Sequence, residues 1–106
     1  MTPPPTSDAP LESRRAQAAE ILVKFLKDNP EWKGDAFVCT HAEWVARGER
    51  YGKNSLATLV VDGSPLYNAL NGCSDDKIVQ KLDKTLAAAG LYLEGGYAWS
   101  GHLYNT

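Results

Sequence analysis

The run Leu56-Ala57-Thr58-Leu59-Val60-Val61 sets the tightest limit on what this chain can fold into. Side chains alternate across a strand, so Leu59, Val60 and Val61 in succession place apolar groups on both faces. Both faces then need cover, and the run reads as a central strand rather than a half-solvated edge. Asp62-Gly63 stops it. Ser64 suits the N-cap and Pro65 the first position of a short helix, with Leu66 and Leu70 on one side and Gly72 at the end. A hairpin at Asp62-Gly63 is the rival reading, and Pro65, Asn68 and Asn71 in the return strand count against it.

Cover for that strand comes from two amphipathic helices. Ala18, Ile21, Leu22, Phe25 and Leu26 recur at helical spacing and form one stripe. This helix begins near Asp8 with Pro10 in its first turn, and Asn29-Pro30 ends it. Glu20 and Lys24 are expected to pair at i,i+4. The second stripe is Ile78, Val79, Leu82, Leu86 and Ala89. Ser74 is expected to cap that helix, Asp75 and Asp76 suit the positive end of its dipole, and Gly90 closes it.

Between the first helix and the central strand, residues 35–39 read as a short strand. Thr40 and Glu43 then form a capping box for a short helix, His41 to Arg47, closed by Gly48. The same letters also permit a continued strand. Leu91 to Tyr104 has β character around Gly95-Gly96. A two-residue loop there pairs Glu94 with Tyr97, Leu93 with Ala98 and Tyr92 with Trp99. One face then carries Tyr92, Tyr97, Trp99 and Leu103. The other carries Leu91, Leu93, Ala98, Ser100, His102 and Tyr104, and the helices can cover the Leu91/Leu93 side.

The expectation is therefore a single α+β domain over 10–106, with a small, mostly antiparallel sheet packed against two main helices. Met1 to Ala9 is Pro-rich and polar and reads as a disordered tail. A chain of 106 residues, 43% hydrophobic and 23% charged, has room for one soluble domain with a thin core.

A formal net charge of −2 gives no general attraction to nucleic acid or anionic lipid, so neither is an expected partner. Met1 to Pro5 lacks the apolar centre of a secretory signal, and no apolar run reaches the roughly 18 residues of a membrane span. Cys39 and Cys73 are accordingly expected to be ordinary thiols of a cytoplasmic protein.

Catalytic patterns are incomplete. Gly52-Lys53 superficially resembles a phosphate loop. Its spacing from Gly48 is one residue short, Asn54 replaces the hydroxyl that would meet magnesium, and a strand follows instead of a helix. Cys39 and His41 lack a second paired ligand set, so no metal or cofactor is expected. Asp62 and Ser64, with His41 and His102, are the candidates for a cleft, the alternative being a small ligand-binding protein or enzyme.

The aromatic residues say more. Trp32, Trp44, Tyr51, Tyr67, Tyr92, Tyr97, Trp99 and Tyr104 are many amphipathic rings beside only two phenylalanines. Such rings favour places where one end is dry and the other wet, interfaces included. The leading expectation is a non-enzymatic interaction or regulatory module. It would bind a protein partner or a second copy through Tyr92, Tyr97 and Trp99, with Arg47 and Arg50 as a basic rim.

Overall fold

The computed structural model describes residues 8–73 and 76–106. Along the chain run α1 (Asp8–Asp28), α2 (Pro30–Lys33), β1 (Phe37–Thr40), α3 (His41–Ala46) and β2 (Ala57–Val60). α4 (Pro65–Leu70), α5 (Lys77–Ala88), β3 (Leu91–Gly95) and β4 (Ser100–Asn105) follow. The strands form one antiparallel sheet in the order β1-β2-β4-β3, which makes the protein α+β. β2 is buried along its whole length and has a neighbour on each side, as its apolar run requires.

The register fixes the two faces. Thr40, Ala57, Leu103 and Leu93 form one cross-strand row, and Cys39, Thr58, His102 and Glu94 form the next, on the opposite face. The first face belongs to the main core. Leu22, Phe25 and Leu26 of α1 and Leu82 and Leu86 of α5 close over Ala57, Leu59, Leu91 and Leu103. Each such Leu or Phe contributes about 1.5–3 kcal/mol by leaving water. The second face has a smaller cluster of Cys39, Trp44 and Val60, with Tyr97 and Trp99 against it.

Several local readings hold. Both hydrogen bonds of the Thr40/Glu43 capping box are made, so the strand stops at Thr40 and α3 begins. Ser64 accepts from the Leu66 amide and starts α4, with Pro65 in its first turn. Others change. Lys24 pairs with Asp28, not Glu20. Pro30, which ends α1, also begins α2, a turn of helix that the sequence reading leaves out. Buried Asn29 joins these parts to α5: its amide donates to the Phe25 carbonyl at 2.8 Å, and its oxygen accepts from Lys81 Nζ at 2.7 Å. The tail reading for Met1–Ser7 and the Ser74 and Asp75 roles lie outside the described residues. Asp76 stands at the N-cap of α5 without a side-chain capping bond.

The largest correction is the C-terminal hairpin. Leu93 pairs with Leu103 and Gly95 with Gly101, so the connection is longer than the Gly95-Gly96 turn. With the two-residue loop, Leu103 would leave the helix side. In the observed register it is fully buried there, and Gly101 leaves room for the Leu93 side chain. Ser100 closes the turn. Its amide donates to the Tyr97 carbonyl at 3.1 Å, and its hydroxyl accepts from the Tyr97 amide at 3.0 Å. Tyr97, Ala98 and Trp99 therefore lie in the turn, not on a strand. His102 and Tyr104 move to the face that carries Tyr92.

Candidate functional site

α3 sets Trp44 against the sheet face that the long helices leave open. The capping box fixes where the helix starts, and Trp44 then falls on its inner side, completely buried. Its indole N–H donates to the Tyr51 carbonyl at 2.7 Å and so ties down the loop that leads into β2. The Trp44 ring lies 5.1 Å from His102 and 5.9 Å from Trp99. Tyr97 stacks on Trp99 with centroids 4.6 Å apart and planes within 2°. Tyr51, 47% exposed, meets Tyr97 edge-on at 5.0 Å. These are favourable ring geometries, each worth about 0.5–1.5 kcal/mol beyond burial.

The two arginines differ in role. Arg47 follows α3, and its guanidinium lies 5.2 Å from the Trp44 centroid and 5.8 Å from that of Trp99. It also reaches Glu49 at 3.0 Å. Arg50 acts through its backbone: its amide donates to the Tyr97 hydroxyl at 3.0 Å. Arg47, Arg50, Tyr97 and Trp99 thus gather where the α3–β2 loop meets the β3–β4 turn. Tyr92 stands apart on edge strand β3, 43% exposed, with its ring 5.7 Å from Tyr104. Tyr97 and Trp99 are half-buried within the chain, so the face foreseen as uncovered is partly roofed by α3 and the Tyr51 loop.

His102 occupies the floor of this cluster. Its Nδ1 is 2.8 Å from the Thr58 hydroxyl and its Nε2 is 3.0 Å from the Ser100 hydroxyl. Each hydroxyl can donate or accept, which suits a neutral imidazole with one donor and one acceptor nitrogen. Gly52 and Gly96 press on the ring from two sides: a Cβ on either would land on the imidazole.

Burial pushes the His102 pKa below the ordinary histidine value of 6.5. The unfolded chain takes up this proton first, so stability falls as pH drops. The contribution is whole above about pH 6.5 and is lost from there down through the lower folded value. The Glu43 carboxylate, held below its usual 4.5 by the Thr40 backbone N–H and then by the Thr40 hydroxyl, begins to lose its own contribution only beneath that pH. Urea unfolding at intervals from pH 7.5 to 4.5 is expected to show a decline that His102→Gln flattens. An unchanged slope in that variant excludes His102 as its source.

The four residues of the alternative cleft are dispersed. His41 Nδ1 lies 2.9 Å from the Ser55 carbonyl, and His41 borders a 260 Å³ hollow beside Glu12 and Arg15. Asp62 and Ser64 lie beyond the other end of β2, about 20 Å from Ser55 at strand rise. Ser64 also donates to the Trp32 carbonyl at 2.7 Å, which completes its structural role. His102 is enclosed within the sheet. Cys39 is buried and Cys73 exposed, both as free thiols, and burial raises the Cys39 pKa. Among the described residues no group of three or more His, Cys, Asp or Glu gathers to hold a metal, and no helix is long and apolar enough to cross a membrane.

Sequence reasoning missed Trp44 as the organiser of the cluster, and Gly52, Gly96, Thr58 and Ser100 as the enclosure of His102. One signal was present: Thr58 is a hydroxyl inside an apolar, two-sided strand, and buried polar groups find partners.

No family model, curated protein or solved structure matches the chain. What the geometry defines is a four-stranded antiparallel α+β domain, with its long helices on one face and an aromatic–arginine cluster on the other.

Proposed function

We propose that this protein is a non-enzymatic interaction module of regulatory kind. It binds a partner protein, or a second copy of itself, through Tyr97, Trp99 and Arg47, with Tyr92 and Arg50 extending the surface. The observation that carries this reading is the parallel, partly exposed Tyr97–Trp99 stack with a guanidinium beside it. Trp, Tyr and Arg are the residues that dominate interface energetics. The Arg50 amide and the Ser100 turn hold the Tyr97 ring and backbone in place, which lowers the entropic cost of docking. Unbridged Cys39 and Cys73 support a cytoplasmic setting. The net charge of −2 favours a protein partner over nucleic acid.

Size-exclusion chromatography with light scattering tests the self-association form. The wild type is expected to dimerise as concentration rises. Trp99→Ala is expected to cost about 2 kcal/mol, roughly thirty-fold in Kd. Acrylamide quenching in a Trp32→Phe background tests both forms, since Trp44 is buried and Trp99 is left to report. A strictly monomeric protein whose Trp99 resists quenching overturns the proposal.

A further inference from the structure

β1 is an outermost strand of the sheet, and among the described residues no strand lies along its outer side. A groove of about 410 Å³ follows that edge, bordered by Val23 and Leu26 of α1 and by Phe37 and Val38 of β1. Most of the lining belongs to the helix side, and Phe37, which points to the opposite face from Val38, brings the groove out to the strand's backbone edge. Two of its apolar residues are accessible, Val23 at 53% and Phe37 at 45%, while Leu26 lies buried beneath them. Lys27 and Lys33 also line it, with no carboxylate among the lining residues. Neither amine is in an ion pair among the described residues, where Lys24–Asp28 and Arg47–Glu49 are the pairs formed.

We infer that the β1 edge is a second docking site, separate from the Trp99 surface, for an extended partner segment in which apolar and acidic residues alternate. The segment adds as a fifth strand beside β1. Alternation puts its apolar side chains on the Phe37 face and its carboxylates on the helix face, where Lys27 and Lys33 stand beside Val23 and Val38. Charge decides the occupant. A second copy placed on this edge about a two-fold axis brings four lysine amines to one seam with no lining carboxylate to offset them. An acidic strand neutralises them, and its backbone satisfies the open ladder.

The test is an amide NMR titration of the full chain with two acetylated octapeptides, one alternating valine with glutamate and one alternating valine with lysine. The glutamate peptide is expected to shift the amides of Phe37–Thr40 and Val23–Lys27 and to bind at least ten-fold more tightly than the lysine peptide. Lys27→Glu combined with Lys33→Glu is expected to reverse that preference, and both sites are exposed, so the fold survives the change. N-methylation along one edge of the peptide is expected to abolish binding, and along the other edge to spare it. The inference is overturned by equal affinity for the two peptides, by an unshifted β1, or by shifts confined to the Tyr97–Trp99 turn. It is also overturned if the β1 amides shift with protein concentration alone, which assigns the edge to a second copy. Trp99→Ala is expected to leave peptide affinity unchanged, which separates this site from the one proposed above.

Discussion

Gly52→Ala is expected to destabilise the fold by about 3 kcal/mol, through two effects that can be separated. The first is conformational. Gly52 has φ of 76°, in the left-handed region, where a Cβ costs roughly 1–2 kcal/mol. The second is steric. The added methyl lands on the His102 ring, which Thr58 and Ser100 hold by both nitrogens and which Trp44 covers. Forcing an atom into such packing costs about 1–3 kcal/mol. Gly96→Ala isolates the second effect, because Gly96 has no positive φ and yet meets the other side of the same ring. It is expected to cost about 2 kcal/mol. Urea unfolding of each variant, repeated in a His102→Ala background, completes the cycle. With the ring removed, the Gly96 change is expected to lose most of its cost and keep only its close approach to Tyr51 Cβ at 3.0 Å, while Gly52→Ala keeps a penalty of about 1 kcal/mol. If Gly52→Ala costs under about 0.5 kcal/mol in the wild-type background, the ring is not held as described.

That enclosure shows which parts of the fold were legible in the sequence. The central strand, the Thr40/Glu43 box, the Ser64 cap and the stripes of α1 and α5 all rest on residues within a turn or two of each other. Local chemistry determines them, and they read correctly. The hairpin register does not work that way. Gly95-Gly96 is a strong turn signal by itself, but the register follows Leu103, whose place in the main core requires pairing with Leu93. Burial of one leucine, with the turn closed by Ser100, outweighs the local preference. The α2 turn is not legible locally because Pro30 both closes α1 and opens the next turn of helix, and only the first role follows from the residue before it.

The candidate site divides in the same way. Arg47, Arg50, Tyr97 and Trp99 can be picked out as residue types suited to an interface, and the fold brings them together. Their mutual geometry rests on long separations: Arg50 to Tyr97 spans 47 positions and Thr58 to His102 spans 44. No periodicity or spacing rule reaches that far. Tyr92 was joined to the others by an assumed register and stands apart in the real one. His102, named for a cleft, is instead a buried bridge between two hydroxyls.

Trp44→Ala is expected to have the largest effect of all, about 3–5 kcal/mol, the range for removing a buried Trp. The indole fills the space between α3 and the sheet, so its loss leaves a cavity that the short α3 cannot close without abandoning its cap. It also leaves the Tyr51 carbonyl without its donor, which adds about 1–3 kcal/mol if that group stays dry. Trp44→Phe keeps most of the apolar volume and loses the N–H, so its cost is expected to be about 1–2 kcal/mol. Size alone does not distinguish this site from the main core, where Leu59→Ala should also cost about 2–5 kcal/mol. The distinction lies in what else moves. Trp44 contacts His102, Trp99 and Arg47, whereas Leu59 belongs to the helix-side core. Removing Trp44 opens His102 to water, so the imidazole pKa is expected to rise toward 6.5 and the acid-side loss of stability to weaken. Leu59→Ala lowers stability by a similar amount and leaves that pH dependence intact. Denaturant unfolding at pH 7.5 and 5, run on both variants beside the wild type, distinguishes them. If Trp44→Ala keeps the full wild-type pH dependence, the tryptophan is not what shields His102, and the aromatic cluster is not a single packed unit.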